Sequence, residues 1–455
     1  MNAPTRLGFS DGGLRVSGAP AWLAALPGAR GNRASLTLPA SAYASVVLAL
    51  RAHGDTYVDE ARAFAPLTLT RAGGHPPRGY QKEALAAWHE AGRRGVVVLP
   101  TGAGKSFVAE LAIALVKRPS LVVVPTLELV SQWLRGLALA FPDVALGQLG
   151  GGVRRLGDLT VATYDSAALM MRDLGDRFGL VIFDECHHLP APVFRVAAEC
   201  ALAPFRLGLS ATPGDDPDRQ AQLTELIGEL VYEQTITELR GAFLADYDVI
   251  QVPVELDPGE RRRYEEARAH YLGYLRSAGF KTDSADGWQR FVREAARTQE
   301  GRSALESFRL QRSIAFEASA KFDVLLRLLE RHDNERKLVF TQDNAAAYRV
   351  GRHCLLPVIT HHTAAAERRA VLDAFKAGAL RAVVTSKVLN EGVDVPEASV
   401  AIILSGSGSV REHVQRLGRV LRKHEAKRAR LYEIIAAETT EVGTSERRRA
   451  HRAYR

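Results

Sequence analysis

No stretch of this chain limits its fold more than the run from Val96 to Ser106. It reads Val-Val-Val-Leu-Pro-Thr-Gly-Ala-Gly-Lys-Ser and is followed by an apolar helical pattern from Phe107 to Val116. A β-branched strand that passes through a glycine loop into a helix is the building unit of a parallel sheet wrapped by helices. Gly102 and Gly104 let the backbone curl, with Thr101 and Ala103 completing the loop, so that its N–H groups face a phosphate at the helix N-terminus. Lys105 can then reach the β- and γ-phosphates of ATP, and the Ser106 hydroxyl can join the shell of a Mg²⁺ ion. The strict eight-residue phosphate-loop pattern asks for Gly where Leu99 stands, so the loop is the compact Pro-Thr-Gly-x-Gly-Lys-Ser form. Its strand–loop–helix setting argues against an ordinary surface turn.

A second element supplies the chemistry that a phosphate loop lacks. Leu180-Val-Ile-Phe-Asp-Glu-Cys-His-His188 is an apolar strand whose end delivers two adjacent carboxylates, and open α/β sheets bind ligands at that edge. Asp184 is expected to hold Mg²⁺ through water, and Glu185 to orient and deprotonate the attacking water. His187 and His188 have no third metal ligand nearby in sequence. His187 is therefore read as a polar link to Ser210-Ala-Thr212, with Ser210 and Thr212 coupling the ATP site to the rest of the fold. Upstream, Arg78-Gly-Tyr-Gln81 places the Gln81 amide where it can meet the adenine edge.

The alternation of short β-rich runs with helical patterns spans residues 76–240 and resumes over 241–440. Strands are expected at 96–99, 121–124, 159–162, 180–183 and 206–209, then at 337–340, 358–360, 382–385 and 400–404. Residues 257–311 break the pattern: they are rich in Arg, Glu, Tyr and Ala without a strand-like run, and read as a helical insertion. Residues 1–75 end at the turn-rich Ala72-Gly-Gly-His-Pro-Pro77 and look like a small separate domain. The formal charge of +8 is uneven. From Arg411 onward there are thirteen Lys or Arg against six Asp or Glu, which leaves 47 basic and 46 acidic groups in the first 410 residues. A basic tail over 441–455 can sit along phosphates, but the body is nearly neutral. The three widely spaced cysteines argue against a disulfide framework or a zinc ribbon. With no secretory pattern at Met1–Gly13 and no apolar run long enough to cross a bilayer, the expected home is the cytoplasm.

Further motifs follow in a fixed order. They are Asp-Glu-Cys-His at 184–187, Ser-Ala-Thr at 210–212, Leu226-Ile-Gly-Glu-Leu-Val-Tyr-Glu233, Ser386-Lys-Val-Leu-Asn-Glu-Gly-Val-Asp-Val-Pro-Glu-Ala398, Gly406-Ser-Gly-Ser-Val-Arg-Glu412 and Gln415-Arg-Leu-Gly-Arg-Val-Leu-Arg422. In this order and spacing the chain resembles superfamily 2 helicases, and within them the XPB-like group, from residue 76 to about 435. The resemblance implies an α/β protein of two tandem RecA-like parallel-sheet lobes, with the insertion as a thumb-like element and the small N-terminal domain in the place of a damage-recognition domain. It implies that Arg419 and Arg422, three apart on one helix face, act as arginine fingers, and that Gln415 contacts the γ-phosphate. Gly392 and Asp394 would form the second lobe's nucleotide-sensing loop, so that ATP closes the lobes and hydrolysis releases them. Pro125, Thr126, Thr163, Tyr164, Thr341, Thr385 and Ser386, at expected strand ends, would hold the nucleic-acid backbone. XPB-like chains carry an Arg-Glu-Asp element after Ser-Ala-Thr. Here Ala211-Thr-Pro-Gly-Asp-Asp-Pro-Asp-Arg219 keeps the acid but displaces the arginine, which bears on strand separation more than on hydrolysis.

The resulting expectation is a DNA-dependent ATPase with 3′→5′ helicase or translocase activity in DNA repair, using ATP and Mg²⁺ and working as a monomer. The residues alone leave open an RNA helicase, the motor subunit of a restriction-type nuclease complex, and a nucleotide-controlled binding module. A nuclease or repair protein is the expected partner, and a membrane is not.

Overall fold

Central strands of a parallel sheet are buried on both faces and so are built from unbroken apolar runs. The computed structural model has such strands in each of its two units, Met1–Glu238 and Leu239–Arg455. It describes residues 4–450 apart from 33, 213, 215, 240–245, 283–284, 387–397 and 406–427.

The first unit opens with a five-stranded sheet. Its strands are β1 (Thr5–Ser10), β2 (Gly13–Ser17), β3 (Arg30–Asn32), β4 (Ser35–Pro39) and β5 (Tyr57–Asp59), in the order β3-β4-β2-β1-β5. Helix α1 (Tyr43–Ala52) supplies Tyr43, Val46, Val47 and Leu50 to its core. This core is not closed on itself, because Leu202, far along the chain, belongs to the same cluster. Residues 60–72 then run against the larger fold, with Ala63 N–H donating to Asp176 O, Leu67 N–H to Lys117 O and Ala72 N–H to Ala140 O at 2.7–3.0 Å. The first 75 residues have their own sheet, yet they belong to the same unit as the phosphate loop.

The second sheet of this unit contains β6 (Arg94–Val98), β7 (Ser120–Val124), β8 (Leu146–Gly150), β9 (Val153–Arg155), β10 (Leu159–Thr163), β11 (Leu180–Asp184), β12 (Phe205–Ser210) and β13 (Leu230–Glu233). Their order is β13-β6-β12-β11-β7-β10-β8-β9, and all neighbours are parallel except β8 and β9. Helices α2 (Gly79–Glu90), α3 (Lys105–Val116), α4 (Leu127–Ala140) and α5 (Tyr164–Leu174) follow the strand pattern. One buried cation holds the far side of the sheet. Arg206 is fully buried and donates to the carbonyls of Ala201, Ala203 and Leu226, while Trp88 Nε1 donates to the Arg206 carbonyl. Burial pushes this guanidinium down to about 9.

The second unit carries a six-stranded, all-parallel sheet of β14 (Asp246–Val254), β15 (Lys337–Phe340), β16 (Val358–Ile359), β17 (Ala382–Thr385), β18 (Val400–Ile403) and β19 (Arg428–Ala436). The order is β14-β19-β18-β15-β17-β16. The expected insertion is three helices, Pro258–Ser277, Ala285–Ala295 and Gln299–Phe316. Asp257 and Glu260 form a capping box at its start, with Pro258 in the first turn. The insertion has a small core of its own, made by Tyr271, Leu275, Phe291 and Ala295 and flanked by Trp288 and Phe308. It runs a turn beyond the expected end at 311, because Ile314 and Ala315 pack with Tyr264 and Ala436.

Residues 441–455 do not behave as a solvated tail over their described part. Thr440–Ala450 is a helix, and buried Glu441 accepts from Lys321 Nζ at 2.7 Å and from Ala436 N at 2.8 Å. Lys321 is itself fully buried and donates also to Leu404 O. Nearby, Ser445 Oγ donates to Glu433 Oε2, and Gln251 Nε2 donates to Ser445 Oγ. Buried charge, which basic composition could not reveal, fastens this helix to the sheet. Among the described residues no helix is long and apolar enough to cross a membrane.

Removing one partner of such a buried pair strands the other. Lys321→Met is expected to destabilise the second unit by about 3–5 kcal/mol, while Lys321→Met combined with Glu441→Gln recovers most of the loss. Urea unfolding of the three proteins checks this; equal midpoints for the wild type and the single variant would refute it.

Candidate active site

Strand register brings the candidate residues of the first unit to one sheet edge. Val98 at the end of β6 lies opposite Ser210 at the end of β12, and Leu209 lies opposite Asp184 at the end of β11. The phosphate loop, Ser210-Ala-Thr212 and Asp184-Glu185 therefore leave three adjacent strands at the same side. β7 and β10, next along the sheet, deliver Pro125-Thr126 and Thr163-Tyr164 to the continuation of that edge.

The loop itself is set by two left-handed glycines, Gly102 at φ +88° and Gly104 at φ +83°. At Gly104 space matters as well, since a Cβ there would lie 2.6 Å from Gln81 Nε2. Gln81 is buried and its amide is engaged at both ends: Oε1 accepts from Arg78 N, and Nε2 donates to Ala103 O at 3.1 Å. Tyr80 OH donates to the same carbonyl at 2.6 Å. Gln81 thus grips the phosphate loop from behind, a contact that the adenine reading did not foresee. Arg71 also borders the loop helix: its guanidinium lies over the Phe107 ring at 4.3 Å and pairs with Glu110 at 2.8 Å.

The charged groups converge on Glu185. Its Oε1 lies 3.9 Å from Lys105 Nζ, and its Oε2 lies 3.4 Å from His187 Nδ1. Lys105 Nζ also donates to Leu99 O at 3.4 Å. Glu185 has φ +49°, a left-handed conformation that non-glycine residues seldom adopt and that clusters at functional sites. It turns the chain from β11 into the short 3₁₀ turn Cys186–His188. His187 packs its ring against that of His188 with centroids 4.2 Å apart.

Asp184 is buried deeper. Its Oδ1 accepts from Glu185 N at 3.1 Å and its Oδ2 from the Trp133 indole at 2.9 Å. Tyr164 OH donates to the Asp184 carbonyl at 3.1 Å. Burial pushes the Asp184 carboxyl up to about 6, Glu185 beside it adds to the shift, and Lys105 and Trp133 oppose it. Ser210 Oγ and the Thr212 main chain are bonded to each other, which fixes that loop close to the carboxylates in register.

The residues at hand suit a magnesium-bound triphosphate. Two left-handed glycines open the loop, the Thr101 hydroxyl is buried with no hydrogen-bond partner among the described residues, and a lysine and two carboxylates meet there. Ser106 and Asp184 are the oxygen donors that would hold the metal.

The candidate nucleic-acid residues are placed differently from one another. Thr126 and Thr163 cap α4 and α5, accepting from Leu129 N and Ser166 N. Tyr164 is buried with its hydroxyl on Asp184, so its side chain supports the strand end and is not a surface contact. In the second unit Thr341, Thr385 and Ser386 cluster at one edge. All three are buried, with Thr341 Oγ1 donating to Asp343 O, Thr385 Oγ1 to Ser386 O and Ser386 Oγ to Asn344 Oδ1. Gly392, Asp394, Gln415, Arg419 and Arg422 lie outside the described residues. Trp133 and Tyr80 escaped the sequence reading; both act through contacts with residues far away in the chain.

A parallel-sheet unit with this edge chemistry, in tandem with a second one, defines a helicase-type ATPase. A solved relative in fold is the Pyrococcus furiosus Hef helicase domain, with a TM-score of 0.55 at 18% identity, covering 81% of this chain and 97% of that one. Residues 74–215 match the family model of the type III restriction enzyme res subunit, and residues 305–453 match that of the ERCC3/RAD25/XPB C-terminal helicase. The chain is 40% identical to the DNA 3′-5′ translocase XPB2 of Sulfurisphaera tokodaii over 82% of its own length and 84% of that protein's. It is 31% identical to the DNA 3′-5′ helicase XPB of Kineococcus radiotolerans, over 80% of this chain and 60% of that one. The chain belongs to the XPB helicase family.

Two outcomes follow from the loop and the carboxylate. Gly104→Ala is expected to weaken ATP binding about tenfold or more, the equivalent of forcing an alanine into the left-handed region, as a fluorescent-nucleotide titration would show; unchanged affinity would refute it. A raised carboxyl contributes stability that is complete below the ordinary Asp range and is lost as pH climbs through about 6. The stability of the nucleotide-free wild type relative to Asp184→Asn should therefore fall by about 1–2 kcal/mol between about pH 5 and about pH 8. A difference independent of pH would refute the shift.

Proposed function

We infer that this protein is an ATP-dependent DNA translocase or helicase that moves 3′→5′, as its XPB-family relatives are named, and that it serves DNA repair. The observation that carries the reading is the meeting of Lys105, Asp184 and Glu185 at one buried strand end behind a left-handed glycine loop. Phosphoryl transfer to water needs charge stabilisation on the phosphates and a base beside them. Lys105 is the cation for the phosphates, and the glycine loop, whose Ala103 N–H is spent on Pro100 O, offers its other main-chain N–H groups to cradle them. Magnesium, when bound, would neutralise phosphate charge, and Ser106 and Asp184 are the residues that would hold it.

Glu185 takes the proton of the attacking water. Its backbone is left-handed, and His187 and Lys105 bracket the two carboxylate oxygens. Arg419 and Arg422 are assigned to charge stabilisation on the transferring group, Gln415 to the γ-phosphate, and Gly392 and Asp394 to nucleotide sensing, on the strength of their motifs. The DNA backbone is assigned to the β7 and β10 ends, at Pro125-Thr126 and Thr163, and to the edge formed by Thr341, Thr385 and Ser386, on the strength of their places at strand ends.

The test is ATP turnover by the full chain without polymer and with single-stranded DNA, duplex DNA or RNA. DNA is expected to stimulate turnover, Lys105→Ala to abolish it in all four conditions, and Glu185→Gln to lower it by about 10²–10⁴-fold, the usual share of a general base. Stimulation by RNA equal to that by DNA would overturn the DNA assignment. Normal turnover by Glu185→Gln would overturn the base.

A further inference from the structure

Asp184 receives hydrogen bonds from two side chains that belong to no ATP motif. Trp133 lies in the middle of α4 and is almost fully buried, and its indole N–H can only donate. It donates to Asp184 Oδ2 at 2.9 Å, while Glu185 N donates to Oδ1. One donor on each oxygen fixes both the plane and the torsion of the carboxylate. The remaining lone pairs are left free for the ligands that the carboxylate is meant to hold. A phenylalanine would fill much the same apolar volume, so it is the donor that sets the tryptophan apart.

The second contact has the same plan. Tyr164, in the first turn of α5, donates to the main-chain carbonyl of Asp184. Both helices begin at the sheet edge where DNA contact is assigned, α4 at the Thr126 cap and α5 at the Thr163 cap. Thr126 caps the start of α4, and Trp133 lies about 10 Å further along the helix axis. A helix of this length moves as a rod. A shift of its N-terminus by about 1 Å would carry the 2.9 Å indole contact out of hydrogen-bond range.

We propose that Trp133 is a positioning residue through which α4 orients the Asp184 carboxylate, relaying engagement of the DNA backbone at Thr126 to the hydrolytic centre. Tyr164 forms a parallel and weaker arm of the relay on the main chain of the same residue. DNA-stimulated hydrolysis then has a physical route that stays inside one unit. The inference rests on Asp184 and Glu185 being the hydrolytic carboxylates.

The test uses the full chain with Trp133→Phe, which keeps the ring and removes the donor, and with Tyr164→Phe, which removes one hydroxyl. Three quantities are measured: the affinity for a fluorescent ADP analogue in EDTA and across a Mg²⁺ titration, the Mg²⁺ concentration for half-maximal turnover, and the ratio of turnover with and without single-stranded DNA. For Trp133→Phe the affinity in EDTA should stay near wild type. The Mg²⁺-dependent gain in analogue affinity and the DNA stimulation ratio should each fall about tenfold, the loss expected of one charge-assisted hydrogen bond. Tyr164→Phe should move both in the same direction by less, and it carries the test if Trp133→Phe does not fold. Wild-type Mg²⁺ dependence and stimulation in both variants would overturn the relay. Asp184→Asn separates the two levels. Normal turnover by that variant would remove the carboxylate reading beneath the proposal, whereas a dead Asp184→Asn beside wild-type Trp133→Phe and Tyr164→Phe would remove the relay alone.

Discussion

Ionising Asp184 and Glu185 side by side at the end of a buried strand is unfavourable, because each opposes the charge on the other and water is largely excluded. Much of the first unit answers that cost. Lys105 comes within salt-bridge distance of one Glu185 oxygen and His187 approaches the other. The strained backbone at Glu185 aims its own N–H at Asp184, and α4 and α5 each bring one donor to that residue. Burial and Glu185 raise the Asp184 carboxyl by more than Lys105, Trp133 and the Glu185 N–H lower it. A magnesium ion carried in with a triphosphate would set a cation against both carboxylates.

The second unit handles its polar groups in another way. Thr341, Thr385 and Ser386 turn their hydroxyls inward to neighbouring carbonyl and amide oxygens, and Lys321, Glu441, Glu433 and Ser445 form a buried polar network under the last helix. Such inward bonding, which includes Thr341 N–H donating to Thr385 O, stiffens the strand ends. A nearly charge-neutral body is compatible with this arrangement, since backbone dipoles can hold a phosphate chain where few lysines are available.

Strands with both faces buried were plain in the sequence, because nothing but an apolar run can occupy them: β6, β7, β11, β15 and β17 fall where Val, Leu and Ile accumulate. The strands that the pattern did not show are of a different kind. β14 mixes Asp, Gln and Pro253 into nine residues, tolerable because it pairs only with β19 at the sheet's edge, where a proline costs no ladder bond on its open side. β19 alternates charged and apolar residues beneath the Thr440–Ala450 helix, and a local reading assigned that helix to a basic tail. In the site, the convergence of Lys105, Asp184 and Glu185 was legible because each sits in a compact motif at a strand end. Trp133 was not, since its meaning lies in a carboxylate 51 positions away. Gln81 was singled out for the adenine edge, whereas the hydrogen bonds its amide makes to Arg78 N and Ala103 O were not legible, the second for the same reason.

The N-terminal sheet shares core residue Leu202 with the ATP-binding fold, and three main-chain hydrogen bonds from residues 63–72 stitch the connecting segment along it. Gly12 reinforces the joint, donating its N–H to Arg172 O, with a Cys200 sulfur so near that any side chain at Gly12 would collide with it. A joint with that many independent fastenings has little room to hinge. That sheet is therefore registered in the same coordinate frame as the phosphate loop. During each catalytic cycle the two would travel as one rigid cargo.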